Sequence, residues 1–438
     1  MLWYNAVMSK KRKKSSGQAA LIFIVVLALV LITGFGAMFL YLGSRGELAI
    51  PYGQEEAEEV EEQEAPAVVA EVEKIEEEPE IVTTIEEEEV IEDTSRYGSI
   101  LADEELCREK RIYKKDAVSE EQIELLFAGD VGLIEGFANL EQLLQRGGDI
   151  TEGFDANTLG IMRGADVFMI NNEFTYTNRG TPTADKTYTF RCKPEYVHYV
   201  SDMGADIVSL ANNHVYDYGE ISLLDTLDTL EGADIPYVGA GRNIDEAIKP
   251  VYFIVNDVKI AYISATQIER VSNPDTKGAT ETSAGTFRCF YDDRVCDVVK
   301  EAAENSDYVI AYIHWGTELE VEPDWAQYDL APKLQKAGAD LIIGDHPHIL
   351  QKMDYIEDTP IIYSMGNYWF NSKTLDTGLV EVVLNTDATV KSVRFIPAIQ
   401  SGCRCNVATG TEKTRIINYM QSISSGVTFD EEGYVYKK

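Results

Sequence analysis

Four copies of a short pattern, Gly-Ala-Asp followed by apolar residues, constrain the fold of this chain more than any other feature. They begin at Gly164, Gly204, Gly232 and Gly338. Each copy is typical of a helix that ends at a glycine and turns at once into a buried strand. The stretches 196–203, 222–231 and 326–337 have the Leu, Val and Ala spacing of helices that pack on a sheet. Strands that alternate with helices predict βαβ units, and therefore an α/β domain with a largely parallel sheet.

Two pairs of apolar segments predict antiparallel hairpins in addition. Residues 251–255 and 259–264 flank Asn256-Asp257, and residues 379–384 face 390–396 across a polar turn. The predicted sheet is therefore mixed. No stretch rich in Pro, Ser or Gly interrupts residues 123–399. We expect one domain there, followed by a C-terminal tail, residues 400–438, whose structure the pattern does not predict.

A membrane anchor is predicted near the start of the chain. Residues 19–42 are 24 residues without a charge, and they follow the basic cluster Lys-Lys-Arg-Lys-Lys at 10–14. As a helix this run is about 36 Å long, which exceeds the roughly 30 Å of a bilayer's hydrocarbon core. A cleaved signal peptide is the alternative, but its apolar region is usually only about 7 to 15 residues long. The positive-inside rule then predicts a single-pass protein of the cell membrane, with residues 1–18 in the cytoplasm and the rest outside.

The next segment, residues 43–122, is predicted to be an acidic and mostly disordered stalk. Residues 54–93 contain 18 Glu, one Asp and one Lys, a charge density that prevents the burial of a core. The simplest function is a spacer that holds the domain off the membrane, and the alternative is a segment that repels or mimics a polyanion. The net charge of the whole chain, −37, excludes the ordinary class of nucleic-acid binders.

Polar side chains end five of the predicted strands. They are Asp130; Asn171, Asn172 and Glu173; Asn212, Asn213 and His214; His314; and Asp345, His346 and His348. Open α/β sheets bind ligands where the carboxyl ends of their strands meet. Carboxylate, amide and imidazole groups are ligands of divalent Zn, Mn or Fe, so the pattern predicts a metal site. For any one histidine, a hydrogen-bonded core or loop position is the alternative, and His198 is expected to be structural.

In its motifs the chain resembles a known family. The matching segments are Gly129-Asp130-Val131, Asn171-Asn172-Glu173, Thr189-Phe190-Arg191, Ala211-Asn212-Asn213-His214, His314-Trp315-Gly316, Gly344-Asp345-His346-Pro347-His348 and Ser364-Met365-Gly366-Asn367. They are similar to those of the CapA (PgsA-like) family of capsule and poly-γ-glutamate biosynthesis proteins, whose domain is similar to calcineurin-type metallophosphoesterases. The resemblance spans residues 127–371. It implies a layered α/β/β/α domain of the metallophosphoesterase type.

The resemblance also implies roles for single residues. Those implied as ligands of a divalent metal (Mn, Zn or Fe) are Asp130, Glu173, Asn213, His314, His346 and His348. Those implied for catalysis are His214, as general acid or substrate clamp, and Glu318. Those implied for substrate binding are Asn172, Asn212, Arg191, Asp217, Trp315 and Asn367. Phosphoesterases commonly have Asp-x-His at the first motif, whereas this chain has Asp130-Val131-Gly132, so one metal position lacks its histidine.

By the same resemblance, the protein takes part in making, exporting or anchoring poly-γ-glutamate, beside a separate ATP-dependent ligase and membrane subunits of a polymer synthase. Its expected partners are the lipid bilayer, those subunits and an anionic polymer. A metal-dependent hydrolase of phosphoester or amide bonds on another cell-surface substrate is one alternative, and a non-catalytic assembly or anchoring subunit is another. Because the domain is acidic, binding a polyanion requires metal ions or a local cationic site, for which Arg191, Lys193 and Arg242 are candidates.

Overall fold

The computed structural model describes residues 95–268 and 276–438. The predicted cytoplasmic tail 1–18, the predicted anchor 19–42 and the acidic run 54–93 lie outside these residues. Within the two described ranges, every helix is too short or too polar to cross a bilayer.

The elements of the described residues alternate along most of the chain. The α-helices are α1 (Gly98–Leu101), α2 (Glu104–Lys110), α3 (Ala138–Gln145), α4 (Ala156–Gly164), α5 (His198–Met203), α6 (Glu220–Gly232), α7 (Ile244–Ala247), α8 (Asp293–Asn305), α9 (Trp325–Ala337) and α10 (Gly410–Ile423). The strands as far as residue 314 are β1 (Ile112–Lys114), β2 (Gln122–Val131), β3 (Val167–Asn172), β4 (Thr175–Tyr176), β5 (Arg191–Cys192), β6 (Ile207–Ser209), β7 (Tyr237–Val238), β8 (Ala240–Gly241), β9 (Val251–Val255), β10 (Val258–Thr266), β11 (Gly285–Thr286) and β12 (Tyr308–His314). The later strands are β13 (Leu341–Asp345), β14 (Met353–Ile356), β15 (Thr359–Ile362), β16 (Asn367–Trp369), β17 (Leu375–Asn385), β18 (Val390–Ser401), β19 (Arg404–Val407), β20 (Val427–Phe429) and β21 (Val435–Lys437).

Two large mixed sheets organise these strands. One has seven strands in the order β1-β9-β10-β12-β13-β15-β14, and the other has eight in the order β19-β18-β17-β2-β3-β6-β7, with β16 beside β2. The central pairs β10–β12, β12–β13, β2–β3 and β3–β6 are parallel, whereas β9–β10 and β17–β18 are antiparallel. The predicted mixed α/β architecture and both predicted hairpins are therefore confirmed.

The two sheets pack face to face, and helices cover their outer faces. Along β2, Leu125 and Phe127 face the core between the sheets, while Leu126 and Ala128 face the core shared with α3 to α6. On the seven-stranded sheet, Ile263 packs against α8 and α9 in a third core. Because both faces of each central strand are buried, these strands are continuous apolar runs in the sequence. The order of layers is α/β/β/α.

The Gly-Ala-Asp segments form the turns that the sequence predicts. Helix α5 ends before Gly204 and α9 before Gly338, and both glycines have left-handed backbones with φ of 90° and 114°. The aspartates that follow have a further role, which the sequence did not indicate. Asp166 accepts from the backbone N–H of Glu124 at 2.7 Å, and Asp206 accepts from that of Phe168 at 2.9 Å. Each of these side chains thus fixes the start of a neighbouring strand.

Replacing Asp166 by alanine is expected to lower the free energy of unfolding by about 3 kcal/mol, because two backbone N–H groups lose their acceptor. These donors are Val118 and Glu124, each 2.7 Å from an Asp166 carboxylate oxygen. Asp166→Asn keeps one acceptor and should lose about half as much. Chemical denaturation followed by near-UV circular dichroism measures both values. The control is Asp234→Asn, in the same sequence pattern but at an exposed position; an equal loss there would contradict this role for Asp166.

The folded part extends past the predicted bounds at both ends. Strand β1 pairs in parallel with β9, and Tyr97 Oη donates to Asp307 at 2.7 Å. Residues 98–114, assigned to the stalk by sequence, thus form two helices and an edge strand, held by a small apolar cluster around Ile112 that the acidic composition conceals. At the other end, α10 and β20 contribute Ile416 and Val427 to the core between the sheets.

Candidate metal centre

The candidate site lies where strands of both sheets end. The eight-stranded sheet supplies Asp130 near the end of β2, Glu173 directly after β3, and Asn213 shortly after β6. The seven-stranded sheet supplies His314 as the last residue of β12 and Asp345 as the last residue of β13, with His346 and His348 in the loop that follows. The six sequence-predicted ligands therefore come together from parts of the chain that are far apart in sequence.

His314 and Glu173 occupy the middle of this cluster. His314 Nε2 lies 2.8 Å from Asn213 Oδ1, 3.0 Å from His346 Nδ1 and 3.8 Å from Glu173 Oε1. His314 Nδ1, the other nitrogen of the same ring, lies 2.9 Å from Asp345 Oδ1. Glu173 Oε1 also lies 4.0 Å from His348 Nε2. All of these side chains except that of His348 are buried.

Three overlapping groups of side chains in this cluster have the spacing of metal ligands. They are Glu173, His314 and His346; Asp130, Glu173 and His348; and Asp130, His314 and Asp345. Within each group the ligand atoms lie within 4.8 Å of one another. Because Glu173 belongs to two groups, its carboxylate stands where it could bridge two ions.

Unpartnered oxygen atoms show that these residues fit a cation. Glu173 Oε1 and Asp345 Oδ2 are buried and accept no hydrogen bond from the described residues, while Asp130 Oδ2 shares one imidazole donor with Asn367. His348 Nδ1 lies 2.9 Å from Asp130 Oδ2 but also 2.8 Å from Asn367 Oδ1, and one N–H cannot satisfy both acceptors fully. Buried carboxylate oxygens without donors are costly, and a divalent ion removes that cost.

The pKa values of Glu173, Asp345 and His314 agree with this interpretation, whereas at His348 the hydrogen bond and charge of Asp130 outweigh burial and raise the pKa. Burial and the negative charges of Asp130 and Asp345 hold the pKa of Glu173 well above its usual range. Burial and the charge of Asp130 likewise raise the pKa of Asp345. Burial lowers the pKa of His314 to about 3, so this imidazole is neutral at pH 7. Neutral imidazoles are metal ligands, and crowded carboxylates ionise together only beside a cation.

The backbone at the cluster is unusual. His346 and His348 have positive φ angles of 92° and 59°, a region that costs side chains other than glycine free energy. Gly344, just before them, has no room for a Cβ, which would overlap the Tyr363 carbonyl and the Trp315 indole. The chain therefore holds both imidazoles in place through a tightly packed and strained turn.

His214 is held beside the cluster by its own partners. Its Nδ1 lies 2.7 Å from Asp217 Oδ2, and its ring stacks on Phe190 with centroids 4.0 Å apart. The Asp217 carboxylate also accepts from Lys186 Nζ, which hydrogen-bonds the Asn213 carbonyl as well. Burial lowers the pKa of His214 to about 4. His214 Nε2 lies 3.9 Å from Glu173 Oε1, so this imidazole faces the carboxylate at the middle of the cluster.

The residues predicted for substrate binding do not share one location: some contact residues of the cluster, and Trp315 lies in a hydrophobic core. Asn172 and Asn212 lie in a buried amide network, in which Asn212 Nδ2 donates to the Asn172 carbonyl at 2.9 Å. Asn367 contacts His348, and Asp217 orients His214. Trp315 packs in the core on the helix side of the seven-stranded sheet and donates to the Tyr363 carbonyl at 3.0 Å.

The predicted charged residues lie outside the cluster. Arg191 pairs with Glu135 at 2.8 Å, Lys193 lies 3.8 Å from Glu195, and Arg242 pairs with Asp228, Glu231 and Glu246 at 2.8 Å. Glu318, predicted for catalysis, is exposed in the loop after β12, where it lines a cleft together with Asn213 and His346.

Two residues of the site were absent from the implied ligands and site residues. Asp345 was identified at a predicted strand end, but the resemblance did not assign it a role. Lys186 lies in the loop between β4 and β5, away from any strand end, and nothing in its sequence surroundings marks it. Its side chain is only 8% exposed.

Comparison with known proteins places the chain in a family. A model described as bacterial capsule synthesis protein PGA_cap matches residues 124–372, more than half of the chain. The chain belongs to this PGA_cap family. The matched residues include all members of the three ligand groups, and the resemblance predicted from the motifs is confirmed.

Curated relatives share the same region. The capsule biosynthesis protein CapA of Bacillus anthracis is 32% identical over 249 residues, 55% of this chain and 59% of that protein. The PGA biosynthesis protein CapA of Bacillus subtilis is 32% identical over 238 residues, 52% and 60% of the two chains. A probable polyglutamine synthesis accessory protein of Mycobacterium tuberculosis is 27% identical over 209 residues, 46% and 55% of the two chains. This chain thus spans less than two thirds of the length of each of these relatives.

Among solved structures, a 5′-nucleotidase from Candida albicans is 11% identical, and the match covers 65% of this chain and 53% of that one. Its TM-score of 0.34 is too low to support an argument.

Proposed function

We propose that this chain takes part in the synthesis or export of a capsule polymer, poly-γ-glutamate, and that its strand-end cluster holds divalent metal, Mn, Zn or Fe. Family membership and the names of the relatives support a role in this process. The observation that supports metal binding is the pair of buried carboxylate oxygens without donors, Glu173 Oε1 and Asp345 Oδ2, beside His314 and His346, whose pKa values burial lowers.

The proposed setting is the outer face of the cell membrane. The uncharged run 19–42 and the basic cluster before it support an anchor with the folded domain outside the cell. The proposed partners are the bilayer, membrane subunits of a polymer synthase, and the anionic polymer itself. The proposed domain type is the α/β/β/α metallophosphoesterase fold, which agrees with the order of layers and with ligands placed at strand ends.

Each residue of the site has a defined part in this proposal. Asp130, Glu173 and His348 would hold one ion, and Glu173, His314 and His346 the other, with Asn213 Oδ1 beside His314. A divalent ion there supplies Lewis-acid activation of a phosphoryl or carbonyl oxygen. His214 shares its Nδ1 proton with Asp217, so at neutral pH its Nε2 is free to take a proton from water and return it to a leaving group. The stacked Phe190 ring keeps this imidazole in position.

A second candidate function, a non-catalytic assembly or anchoring subunit, is favoured by one observation. Gly132 stands where phosphoesterases commonly have a histidine, and a Cβ at that position would overlap Ile134 and Phe370. The strand that contributes Asp130 therefore supplies no imidazole. A cluster with fewer ligands still binds metal, and such a protein would act by docking to the synthase subunits.

We expect His314→Gln to lower hydrolytic activity about 100-fold or more, since this imidazole belongs to two of the ligand groups. The full-length chain in detergent micelles, reconstituted with Mn²⁺, is assayed on bis-p-nitrophenyl phosphate and on poly-γ-glutamate. Near-UV circular dichroism verifies that the variant is folded, and His198→Ala, at an exposed histidine on α5, is the control. Wild-type rates in the His314 variant would refute the enzyme hypothesis. A metal-loaded wild type without turnover would favour the assembly subunit.

A further inference from the structure

A third residue to which the resemblance assigned no role, Asn171 on β3, lies against the carboxylates of the candidate metal centre. Its side chain is completely buried. Its amide nitrogen, Nδ2, lies 2.9 Å from Asp130 Oδ1 and 3.4 Å from Glu173 Oε2. His314 Nδ1 is also 3.4 Å away, but it has a closer partner in Asp345 Oδ1 at 2.9 Å. One neutral amide therefore donates to two carboxylates of the same ligand group.

The oxygen of the same amide fixes its orientation. Asn171 Oδ1 accepts from Asn212 Nδ2 at 2.9 Å, and Asn212 Nδ2 also donates to the Asn172 carbonyl at 2.9 Å. If the Asn171 amide were turned over, its oxygen would face two carboxylate oxygens, and its nitrogen would face the N–H groups of Asn212. Only the orientation in the structure places a donor opposite each acceptor.

Asn171 holds one oxygen of each carboxylate, and the second oxygen of each faces the imidazoles. Asp130 Oδ2 lies 2.9 Å from His348 Nδ1. Glu173 Oε1 lies 3.8 Å from His314 Nε2 and 4.0 Å from His348 Nε2. Because the two oxygens of a carboxylate have a fixed geometry, a hydrogen bond to one of them determines where the other points.

The amide of Asn171 also connects these carboxylates to the turn after β6. Asn212 Oδ1 accepts from the backbone N–H of His214 at 3.0 Å. Asn213 lies between these two residues, and its Oδ1 is 2.8 Å from His314 Nε2. A change in the position of the Asn171 amide would therefore affect ligand atoms on both sides of it.

We propose that Asn171 is a positioning residue for the metal centre, which holds the carboxylates of Asp130 and Glu173 so that one oxygen of each faces the imidazoles. This inference rests on the proposed function, because it requires that the cluster bind a divalent ion. Asn171 supplies no ligand atom itself, since its oxygen is used by Asn212 and its nitrogen is a donor. Loss of a residue that orients metal ligands typically weakens metal binding by about 10- to 100-fold.

The visible absorption of Co²⁺ tests this proposal, because it reports both the occupancy of a site and the geometry of its ligands. The full-length chain in detergent micelles is freed of metal and titrated with Co²⁺ as wild type, Asn171→Leu and Asn171→Ala. Leucine has about the volume of the amide, whereas alanine cannot introduce a steric clash. The His346→Ala/His348→Ala double variant retains the acidic run 54–93 and gives the signal of ions bound outside the cluster.

Both Asn171 variants should bind Co²⁺ about tenfold or more weakly than wild type, with an altered visible spectrum at saturation. The matched control is Asn139→Ala, at another completely buried asparagine, which donates to the Gly132 carbonyl. This control should lose stability but keep the affinity and spectrum of wild type, because Asn139 orients no ligand carboxylate. Near-UV circular dichroism verifies the fold of each variant.

Wild-type affinity and spectrum in a folded Asn171 variant would overturn the positioning role and leave the metal hypothesis intact. An equal loss of affinity in Asn139→Ala would overturn it as well, because the loss would then follow from removing any buried amide. A wild-type signal no larger than that of the double variant would instead refute the metal hypothesis, and this inference with it.

Discussion

The His346→Ala/His348→Ala double variant is expected to lose the divalent metal that wild type retains. Purified without chelator, the full-length wild type should contain about one or two equivalents of Mn, Zn or Fe, because its ligand groups have the numbers and kinds of donors these ions require. His348 belongs to one group and His346 to another, so the double variant disrupts both. Elemental analysis after gel filtration measures the metal.

Three comparisons sharpen this prediction. The single variants should each lose about half of a two-ion complement, since Glu173 and Asp130 remain. His198→Ala removes an exposed histidine on another part of the domain and should leave the metal content unchanged. Both replaced histidines have positive φ, so folding of the variants is verified by circular dichroism. Equal metal in wild type and double variant would place any bound ion outside the two groups that contain these histidines. Wild type without metal even after reconstitution would end the metal hypothesis.

The second large effect is a reversal in the relative stability of wild type and Glu173→Gln. Without metal, wild type buries a carboxylate whose pKa is raised by burial and by Asp130 and Asp345, so its ionised form is unfavourable at neutral pH. Glutamine keeps the shape and removes the charge. In EDTA the variant should therefore be at least as stable as wild type.

With Mn²⁺ the order should reverse. An ion that binds only the folded state stabilises it by about 4 kcal/mol at a thousandfold excess over its Kd. Wild type should gain about this much free energy of unfolding, and Glu173→Gln less than about 1 kcal/mol, because a neutral amide is a poor bridging ligand. Urea denaturation at pH 7 in the two buffers measures both gains. Glu304→Gln, at an exposed position on α8, should behave like wild type in each. An equal gain in the Glu173 variant would show that this carboxylate does not bind the ion.

Local pattern was enough to predict the elements but not their assembly. Glycines such as Gly204 and Gly338 mark helix ends because few other residues adopt a left-handed backbone, so the turns could be read directly. The division of the strands between two sheets depends on distant pairings, such as Leu379 beside Ala128, which no short-range pattern encodes. Residues 98–114 were misassigned for a similar reason, since their order depends on Ile254 of β9.

The candidate site was predictable to the extent that it lies at strand ends. His314 and Asp130 could be found because parallel strands deliver their last residues to one edge. Trp315 directly follows His314. Because side chains alternate along a strand, the Trp315 indole packs in the core on the helix side of the sheet. The resemblance had implied instead that this residue contacts the substrate. Lys186 reaches the site from a loop, where it forms an ion pair with the buried Asp217. The sequence does not reveal that Asp217 is buried, so it could not indicate the position of Lys186.

The ligands' origin in two separate sheets determines when a metal could enter. Asp130 and Glu173 belong to one sheet, and His314 and His346 to the other, so the coordination sphere is absent until both sheets have formed and met. An unfolded chain has no such site, and an ion cannot act as a template for its early folding. If the domain is exported before it folds, as the proposed anchor requires, the ion must be acquired outside the cell. The metal supply of that compartment, rather than that of the cytoplasm, would then decide which ion the protein uses.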